Sequence, residues 1–324
     1  MKTIAFATVL IASMMSAAAV FGASAPAYPS RVIRLISPYA PGGGTDIMAR
    51  TVSQKLTEAL GQSVIVDNRP GAGGVLGTEL AAKSAPDGYT ILLGSPSPLT
   101  VAPHLYRKLP YDPLKDLAPI SLITTVPNIL CVHPSLPVRS VKDLIALAKA
   151  RPGQLTFSSS GNGGSGHLAG EIFKSMAGVN MIHVPYRGTA PAATALLSGE
   201  VSMSFGNVVA FMPQVKAGRL FAIALTSAKR PPALPDLPTV AETIPGYTSG
   251  TWAGILAPAG IPPEIIAKLN AELVKIPQVP AIRDQINSEG GTPVGSSPEE
   301  FATFMRQETA RLEKIIRNAN IRVD

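Results

Sequence analysis

Apolar residues follow two patterns that alternate along the chain from about residue 28. Short continuous runs such as Val32–Ile36 predict buried strands, whereas the spacing of Met48, Val52 and Leu56 predicts a helix, for which Thr45 is a suitable N-cap. Together the two patterns predict strands at 32–36, 64–66, 89–93, 155–157, 181–184, 201–205, 220–225 and 252–256, and helices at 45–60, 74–84, 141–150, 167–177, 190–198, 263–275 and 298–318. This alternation is typical of an α/β protein with parallel sheets.

The composition indicates a globular chain with a sizeable core. Of the 324 residues, 46% are hydrophobic and 15% are charged, which excludes global disorder, and the length suggests two domains. The 29 glycines and 31 prolines are scattered without a collagen period and indicate many turns. Cys131 is the only cysteine, so an intramolecular disulfide is excluded and we expect a small buried apolar residue.

The formal net charge of +7 admits nucleic acid, a membrane surface or small anions as partners. The basic residues are dispersed, without a run of five and without interleaved aromatic residues. A nucleic-acid groove is therefore disfavoured. After the first 27 residues no segment reaches about 18 uninterrupted apolar residues, the length that spans a bilayer.

Residues 1–27 have the pattern of an export signal. Lys2 precedes an apolar stretch over residues 4–21, and Ala23–Ala25 and Ala25–Ala27 both have the A-x-A form of a cleavage site. We expect cleavage near Ala27, because cleavage after Ala25 would leave a proline just past the scissile bond. No cysteine follows the apolar stretch directly, which excludes a bacterial lipoprotein.

Glycine-rich loops join predicted strands to predicted helices at three places, where ligands bind in parallel sheets. In Pro41–Asp46, glycine amides and a helix N-terminus can hold an anion, although a permissive turn explains the loop equally well. The loop lacks the Gly-Lys-Ser/Thr ending of a P-loop. For Gly71–Gly77, close packing of the helix by glycines is the favoured interpretation.

The third loop, Ser158–His167, contains a literal G-x-G-x-x-G at Gly161, Gly163 and Gly166. A dinucleotide would also need an acid after the next strand, and residues 185–187 supply none. Capture of an anion by serines and main-chain amides is the favoured interpretation. His167 is predicted to open the following helix, whose N-terminus would lower the pKa of the imidazole and keep it neutral.

A series of ordered blocks resembles the Bug, or TctC-type, extracytoplasmic solute-binding proteins of tripartite tricarboxylate transporters. The resemblance covers nearly all of the chain after residue 27. The blocks are Tyr28–Arg31, Pro41–Asp46, Asn68–Gly74, Pro86–Thr90, Ser160–Gly163, His167–Glu171, Val184–Gly188, Ala233–Glu242 and Ala257–Gly260. The resemblance implies a type II periplasmic-binding-protein fold, in which hinge strands join two α/β lobes around a ligand cleft. It places the first lobe at 28–124 plus 252–324, the second at 125–251, and the hinge strands near 120–131 and 252–257.

In that family the ligand is typically a carboxylate held by main-chain amides, hydroxyls and ordered water, without a cofactor or metal. Arg187 is expected to pair with a distal carboxylate, unless it is a solvated surface residue. Carried over by position, the candidate ligand-binding residues are Tyr39, Gly42, Gly43, Thr45, Ser95 and Ser97 in the first lobe and Ser160, Gly163, Ser165, His167, Tyr186, Arg187 and Asn207 in the second. Many members of the family carry an acid where this chain has Gly206, before Asn207. The glycine favours an amine-free mono- or dicarboxylate, aromatic acids included, over an amino acid.

The resemblance therefore implies a periplasmic protein, expected to be a monomer and not an enzyme, that delivers a small organic acid to membrane permease subunits. Two alternatives stay open. One is an exported serine hydrolase using Ser165 and His167, although their placement on one loop gives poor geometry and no orienting acid is evident. The other is a ligand-sensing partner of a membrane receptor.

Overall fold

The computed structural model describes residues 28–42, 44–186 and 188–318. The predicted signal peptide and the candidate site residues Gly43 and Arg187 lie outside the described residues. Within the described ranges, no helix combines the length and the apolar character needed to cross a membrane.

Strands and helices alternate through most of the chain, as the apolar pattern predicts. The strands are β1 (Ile33–Ser37), β2 (Val64–Asn68), β3 (Thr90–Gly94), β4 (Leu117–Val132), β5 (Thr156–Ser159), β6 (Ile182–Pro185), β7 (Met203–Asn207), β8 (Phe221–Leu225), β9 (Gly250–Pro258) and β10 (Thr292–Pro293). The α-helices are α1 (Gly44–Leu60), α2 (Val75–Ala82), α3 (Ala102–Leu105), α4 (Val141–Ala150), α5 (Ser165–Ala177), α6 (Thr189–Leu197), α7 (Val208–Lys216), α8 (Pro263–Leu273), α9 (Pro280–Ser288) and α10 (Pro298–Asn318). Short 3₁₀ turns lie at Ala72–Gly74, Val240–Glu242 and Ile276–Gln278, and a π-helical turn at Ser97–Val101.

Two groups of parallel strands form the two halves of the fold. β1 pairs with β2 and β3, and β5 pairs with β6 and β7, all in parallel. Each half has its own apolar core. One core surrounds Ile33, Leu35 and Ile255, and the other surrounds Phe157 and Phe205.

The strand β4 extends from one half into the other. Its first part, residues 117–127, pairs antiparallel with β9, and its last part, residues 128–132, pairs antiparallel with β7 and β8. β4 and β9 include the segments that the family resemblance assigns to the hinge. The limits of the two lobes stay a prediction.

The C-terminal helix α10 packs on both halves. Ser297 and Glu300 form the predicted capping box, since the amide of Glu300 donates to the Ser297 hydroxyl and the amide of Ser297 donates to the Glu300 carboxylate, at 3.2 and 2.8 Å. The first turns of α10 bury Phe301 against Trp252. Further along, Leu312 joins a small apolar cluster of Val101, Leu168, Leu312 and Ile316.

Some local predictions differ from the structure. Helix α1 begins at Gly44, so Thr45 is its second residue and the predicted N-cap is wrong. The apolar pattern does not predict helices α3, α7 and α9, and Pro213 inside α7 disfavours a helix there. Cys131 is buried as predicted.

Gly166, the second residue of α5, tests how closely this helix packs on β7. A Cβ atom at Gly166 would lie 2.2 Å from the main-chain oxygen of Phe205. We expect Gly166→Ala to push α5 away from β7 and to lower the free energy of unfolding by about 1–3 kcal/mol in a denaturant titration. Gly44→Ala is the matched control, because a Cβ there meets nothing within 4 Å. Equal stability of the two variants would contradict the packing described here.

Candidate functional site

Three helices begin at one small cavity of about 120 Å³. Ser165 opens α5, Thr189 opens α6, and Asn207 caps α7 by accepting a hydrogen bond from the Val209 amide at 2.8 Å. All three cap or opening residues line the cavity. A helix N-terminus carries unpaired amide donors and a partial positive charge, so three of them together favour an anion.

Asn128, in the middle of β4, lies at the same cavity and was not found by sequence reasoning. Its backbone is fixed by the Thr226 hydroxyl, which accepts from the Asn128 amide at 2.7 Å and lies 3.0 Å from the Asn128 carbonyl. Its side-chain oxygen accepts from the Ser165 hydroxyl at 3.2 Å. The side-chain nitrogen is buried and has no hydrogen-bond partner among the described residues. A buried donor without an acceptor costs about 1–3 kcal/mol, so the amide group favours binding of an acceptor.

The remaining lining of this cavity is neutral in the described part of the chain. It includes the hydroxyl residues Ser160, Thr189 and Ser204, of which Thr189 and Ser204 were also missed at the sequence level. The Ser204 hydroxyl donates to the main-chain oxygen of Ser158 at 3.1 Å. The cavity therefore offers neutral hydrogen-bond donors and helix N-termini, with no described charged side chain among the residues that line it.

An aromatic ring occupies the place of a side chain at Gly206. A Cβ atom on Gly206 would lie 2.1 Å from the ring of Phe211, which is fully buried and lines the same cavity. Gly206 thus permits the close approach of Phe211. The wall of the cavity at this position is aromatic.

Two stacked histidines lie behind the third glycine loop. The ring centroids of His167 and His183 are 3.9 Å apart with 12° between the ring planes. His167 Nδ1 accepts from the Gly163 amide at 3.0 Å, and His183 Nε2 lies 2.7 Å from the Ser159 hydroxyl. Burial lowers the pKa of His167 to about 4 and the pKa of His183 to about 3. The neutral state predicted for His167 follows, although burial causes it and His167 is the third residue of the helix.

Ser165 and His167 do not form a nucleophile–base pair. The Ser165 hydroxyl donates to the side chain of Asn128, and His167 Nδ1 already accepts from a main-chain amide. The arrangement that a serine hydrolase would need at these two residues is not assembled.

The first glycine loop is held by the chain's own carboxylate. Asp46 accepts from the Gly42 amide at 3.0 Å, from Arg50 Nε at 2.9 Å and from the Asn68 side chain at 2.9 Å. These hydrogen bonds, that of Arg50 first, lower the pKa of Asp46 to about 2. The Gly42 amide is therefore paired inside the loop. Gly42 lines neither the cavity at Asn128 nor the second cavity, which is described next.

A second cavity of about 230 Å³ lies between the two halves of the fold. Gly73 and Ser97 line it from one side, and Asn162 and Gly163 line it from the other. The Ser97 hydroxyl donates to the Gly73 carbonyl at 3.0 Å. The loop that contains Gly73 was interpreted as a packing feature. Gly77 fits that interpretation, since a Cβ there would lie 2.6 Å from the Arg69 carbonyl oxygen, but the loop also lines the cavity.

The predicted site residues thus fall into three groups. Ser160, Ser165 and Asn207 meet at the first cavity, and Ser97 and Gly163 meet at the second. The residues Tyr39, Gly42, Thr45, Ser95, His167 and Tyr186 line neither cavity. Among these, the Tyr39 hydroxyl lies 2.8 Å from that of Ser95, and the Tyr186 hydroxyl donates to Glu200 at 2.7 Å.

The histidine stack predicts that stability depends on pH above the pH range in which carboxylates titrate. The unfolded chain binds a proton to each histidine near pH 6.5, whereas the folded chain resists protonation until about pH 4 or below. The free energy of unfolding should therefore fall as the pH drops from 7 to 5, by at most about 1.4 kcal/mol per pH unit for each proton.

The variant His183→Phe keeps a ring in the stack and removes one titrating group, so its loss of stability between pH 7 and pH 5 should be smaller. Phe157→Leu is the control, because Phe157 also stacks on His183, with ring centroids 4.9 Å apart, and does not titrate. Its loss between the two pH values should match that of the unmodified chain. Equal losses in all three proteins, measured by urea titration, would contradict the assignment.

Known proteins are similar to this chain in sequence and in fold. A sequence model of the family described as "Tripartite tricarboxylate transporter family receptor" matches residues 48–321. Protein BugT of Bordetella pertussis is 39% identical over 302 residues, which are 93% of this chain and 93% of that protein. Among solved structures, R. palustris Rpa4515 with adipate is 38% identical with a TM-score of 0.79, covering 91% of this chain and 100% of that chain. MatC (Rpa3494) from Rhodopseudomonas palustris with bound malate is 30% identical with a TM-score of 0.74, covering 89% and 100%. The chain therefore belongs to the tripartite tricarboxylate transporter receptor family of solute-binding proteins and has their two-lobed α/β fold.

Proposed function

We propose that this protein captures a small organic carboxylate in the periplasm and hands it unchanged to the permease of a tripartite tricarboxylate transporter. The observation that carries the proposal is the first cavity, from here on called the solute cavity. Helices α5, α6 and α7 begin there, and the side-chain nitrogen of Asn128 lacks an acceptor there. Two similar proteins, one solved with adipate and one with malate, support the same class of ligand.

The carboxylate binds without a described cationic partner. One oxygen accepts from the side-chain nitrogen of Asn128, and the hydroxyls of Ser160 and Thr189 together with the first amides of the helices complete its hydrogen bonds. Neutral donors and helix dipoles replace the hydration of the anion. Because the site contains no assembled nucleophile and base at Ser165 and His167, the solute leaves as it came.

Closure of the two lobes completes the site in this proposal, as in other two-lobed binding proteins. The lobes are 28–124 with 252–324, and 125–251. The cavity between Gly73 and Ser97 on one side and Asn162 and Gly163 on the other is where the rest of the solute lies.

The protein works as an exported monomer, with cleavage of its signal near Ala27.

The solute is proposed to lack an amino group. An ammonium group needs a carboxylate or several acceptors, and the described lining of the first cavity contains no acidic residue. At Gly206 the ring of Phe211 takes the space that an acidic side chain would use. The proposed ligands are therefore mono- or dicarboxylates without an amine, aromatic acids included.

Asn128→Asp is expected to abolish carboxylate binding. The substitution keeps the shape of the side chain, removes the free donor and places a negative charge against the solute. We expect the affinity for the best-binding carboxylate to fall at least about 100-fold, equivalent to about 2.7 kcal/mol, in isothermal titration calorimetry.

Asn180→Asp serves as the matched control, because Asn180 is exposed and lines neither cavity. Asn128→Ala, which removes the donor without adding charge, should lose about tenfold and guards against a folding defect of the aspartate variant. Unchanged affinity in both Asn128 variants would overturn the assignment of this cavity.

Pairs of acids that differ only in an amino group test the proposed specificity. Succinate should stabilise the protein where aspartate does not, and adipate should do so where 2-aminoadipate does not. A solute present at 100 times its Kd raises the free energy of unfolding by about 2.7 kcal/mol, which a thermal-shift screen detects. Stabilisation by the amino acids alone would contradict the proposal for the solute, and stabilisation by no acid at all would contradict carboxylate capture.

A further inference from the structure

A third cavity of about 360 Å³ lies where the two strands β4 and β9 pass between the halves of the fold. Thr125 and Trp252 are register partners there, and so are Val126 and Thr251. Successive residues of a strand point to opposite faces, so Trp252 and Thr251 belong to different faces of this ribbon. Trp252 lines the third cavity and not the solute cavity of Asn128, whereas Thr251 lines both.

Two polar groups at this third cavity lack partners. The indole nitrogen of Trp252 and the hydroxyl of Ser227 are both buried and meet no hydrogen-bond partner among the described residues. Trp252 itself is only 4% exposed, and its ring packs edge-on against Phe301 and Phe304 at centroid distances of 5.6 and 5.7 Å. An indole N–H can only donate, so what it lacks is an acceptor.

The charges at this cavity favour an anion. Glu308 is bound by Arg311 through two hydrogen bonds of 2.8 Å, and Arg230 is bound by Glu242 at 2.8 and 2.7 Å. Lys229 lines the cavity and forms no ion pair with a carboxylate of the described residues. The unmatched charge is therefore positive.

The walls of the cavity are apolar around these donors. Phe304, Val126, Pro231, Pro232 and Trp252 line it. Its volume lies within the range of about 300–1,000 Å³ that small-molecule sites occupy. Donors, one cation and apolar walls together suit a small carboxylate with an apolar body.

We propose that this cavity, the strand-crossing cavity, is a second binding site for such a carboxylate, separate from the solute site at Asn128. Trp252 Nε1 and the Ser227 hydroxyl donate to its oxygens, Lys229 balances its charge, and the apolar walls hold its body. The proposal concerns a different place from the proposed solute site and stands or falls independently of it.

Trp252 is the only tryptophan of the chain, so its fluorescence reports on this cavity. The probe is cyclohexanecarboxylate, which does not absorb where tryptophan is excited, and cyclohexanemethanol is its neutral control. We expect the acid to change the Trp252 emission with saturation at millimolar concentrations and the alcohol to bind about tenfold more weakly. Absence of a saturable change, or equal responses to acid and alcohol, would overturn the proposal.

Variants assign the response to individual groups. Lys229→Gln and Ser227→Ala should each weaken binding of cyclohexanecarboxylate about fivefold to tenfold, whereas Lys142→Gln on helix α4, which does not line this cavity, should leave it unchanged. Trp252→Phe keeps an aromatic ring and removes the N–H, and calorimetry should show a similar loss. Affinity equal to that of the unmodified chain in the Lys229, Ser227 and Trp252 variants would overturn the site.

The two cavities share Val126, Pro127 and Thr251, so a signal from the solute site must be excluded. In Asn128→Ala the Trp252 response to cyclohexanecarboxylate should persist with its affinity unchanged within about twofold. Ser160→Ala repeats the measurement in case the first variant folds poorly. Loss of the response in these variants would show that the signal comes from the solute site, and would overturn the second site while supporting the first.

Discussion

The antiparallel pairing of β4 is the constraint on which the rest of the structure depends. One strand pairs with β9 along residues 117–127 and then with β7 and β8 along residues 128–132. The change of partners occurs at Asn128, so the place where the two halves join is also the place of the proposed site. The Asn128 amide donates to the Thr226 hydroxyl at 2.7 Å and its carbonyl accepts from the Thr226 amide at 2.9 Å, since a buried strand cannot leave these groups unpaired.

In the proposed site, the fixed Asn128 side chain and the helix N-termini bind the anion without a described charged side chain at the solute cavity. A cation buried near the hinge would carry a large desolvation cost whenever the solute is absent. Neutral donors and the first turns of α5, α6 and α7 cost far less in the empty protein, and they still favour an anion when water is excluded. Such a site suits a protein that must bind and release repeatedly.

Local sequence signals predicted most of the fold. They failed where long-range contacts determine the local structure or the position of a site residue. The capping box at Ser297 and the apolar stripes of the helices depend on neighbours a few residues away, so they could be read from the chain. Helix α7 could not, because Pro213 is tolerated there only through the packing of the helix on its surroundings. Some of the serines predicted to bind the solute after strand ends line the solute cavity, and others do not. Asn128 was missed because a single asparagine ahead of the apolar run 129–132 carries no motif, and its partners Ser165 and Thr226 are 37 and 98 residues away.

The difference between local signals and long-range contacts also explains the first glycine loop. Its glycines and the helix that follows have the composition of an anion site, and the composition alone does not tell what pairs with the amides. In the fold, Asp46 turns back onto the Gly42 amide and is itself held by Arg50 and Asn68. These donors lower the pKa of Asp46 to about 2, so its carboxylate keeps its charge well below neutral pH. An external carboxylate at the Gly42 amide would have to displace this internal one, whereas at Asn128 a solute meets a donor that is already free. The energetic difference between the first glycine loop and the Asn128 site therefore lies in whether the protein supplies its own acceptor, and it favours the junction of β4 with β7 as the proposed anion site.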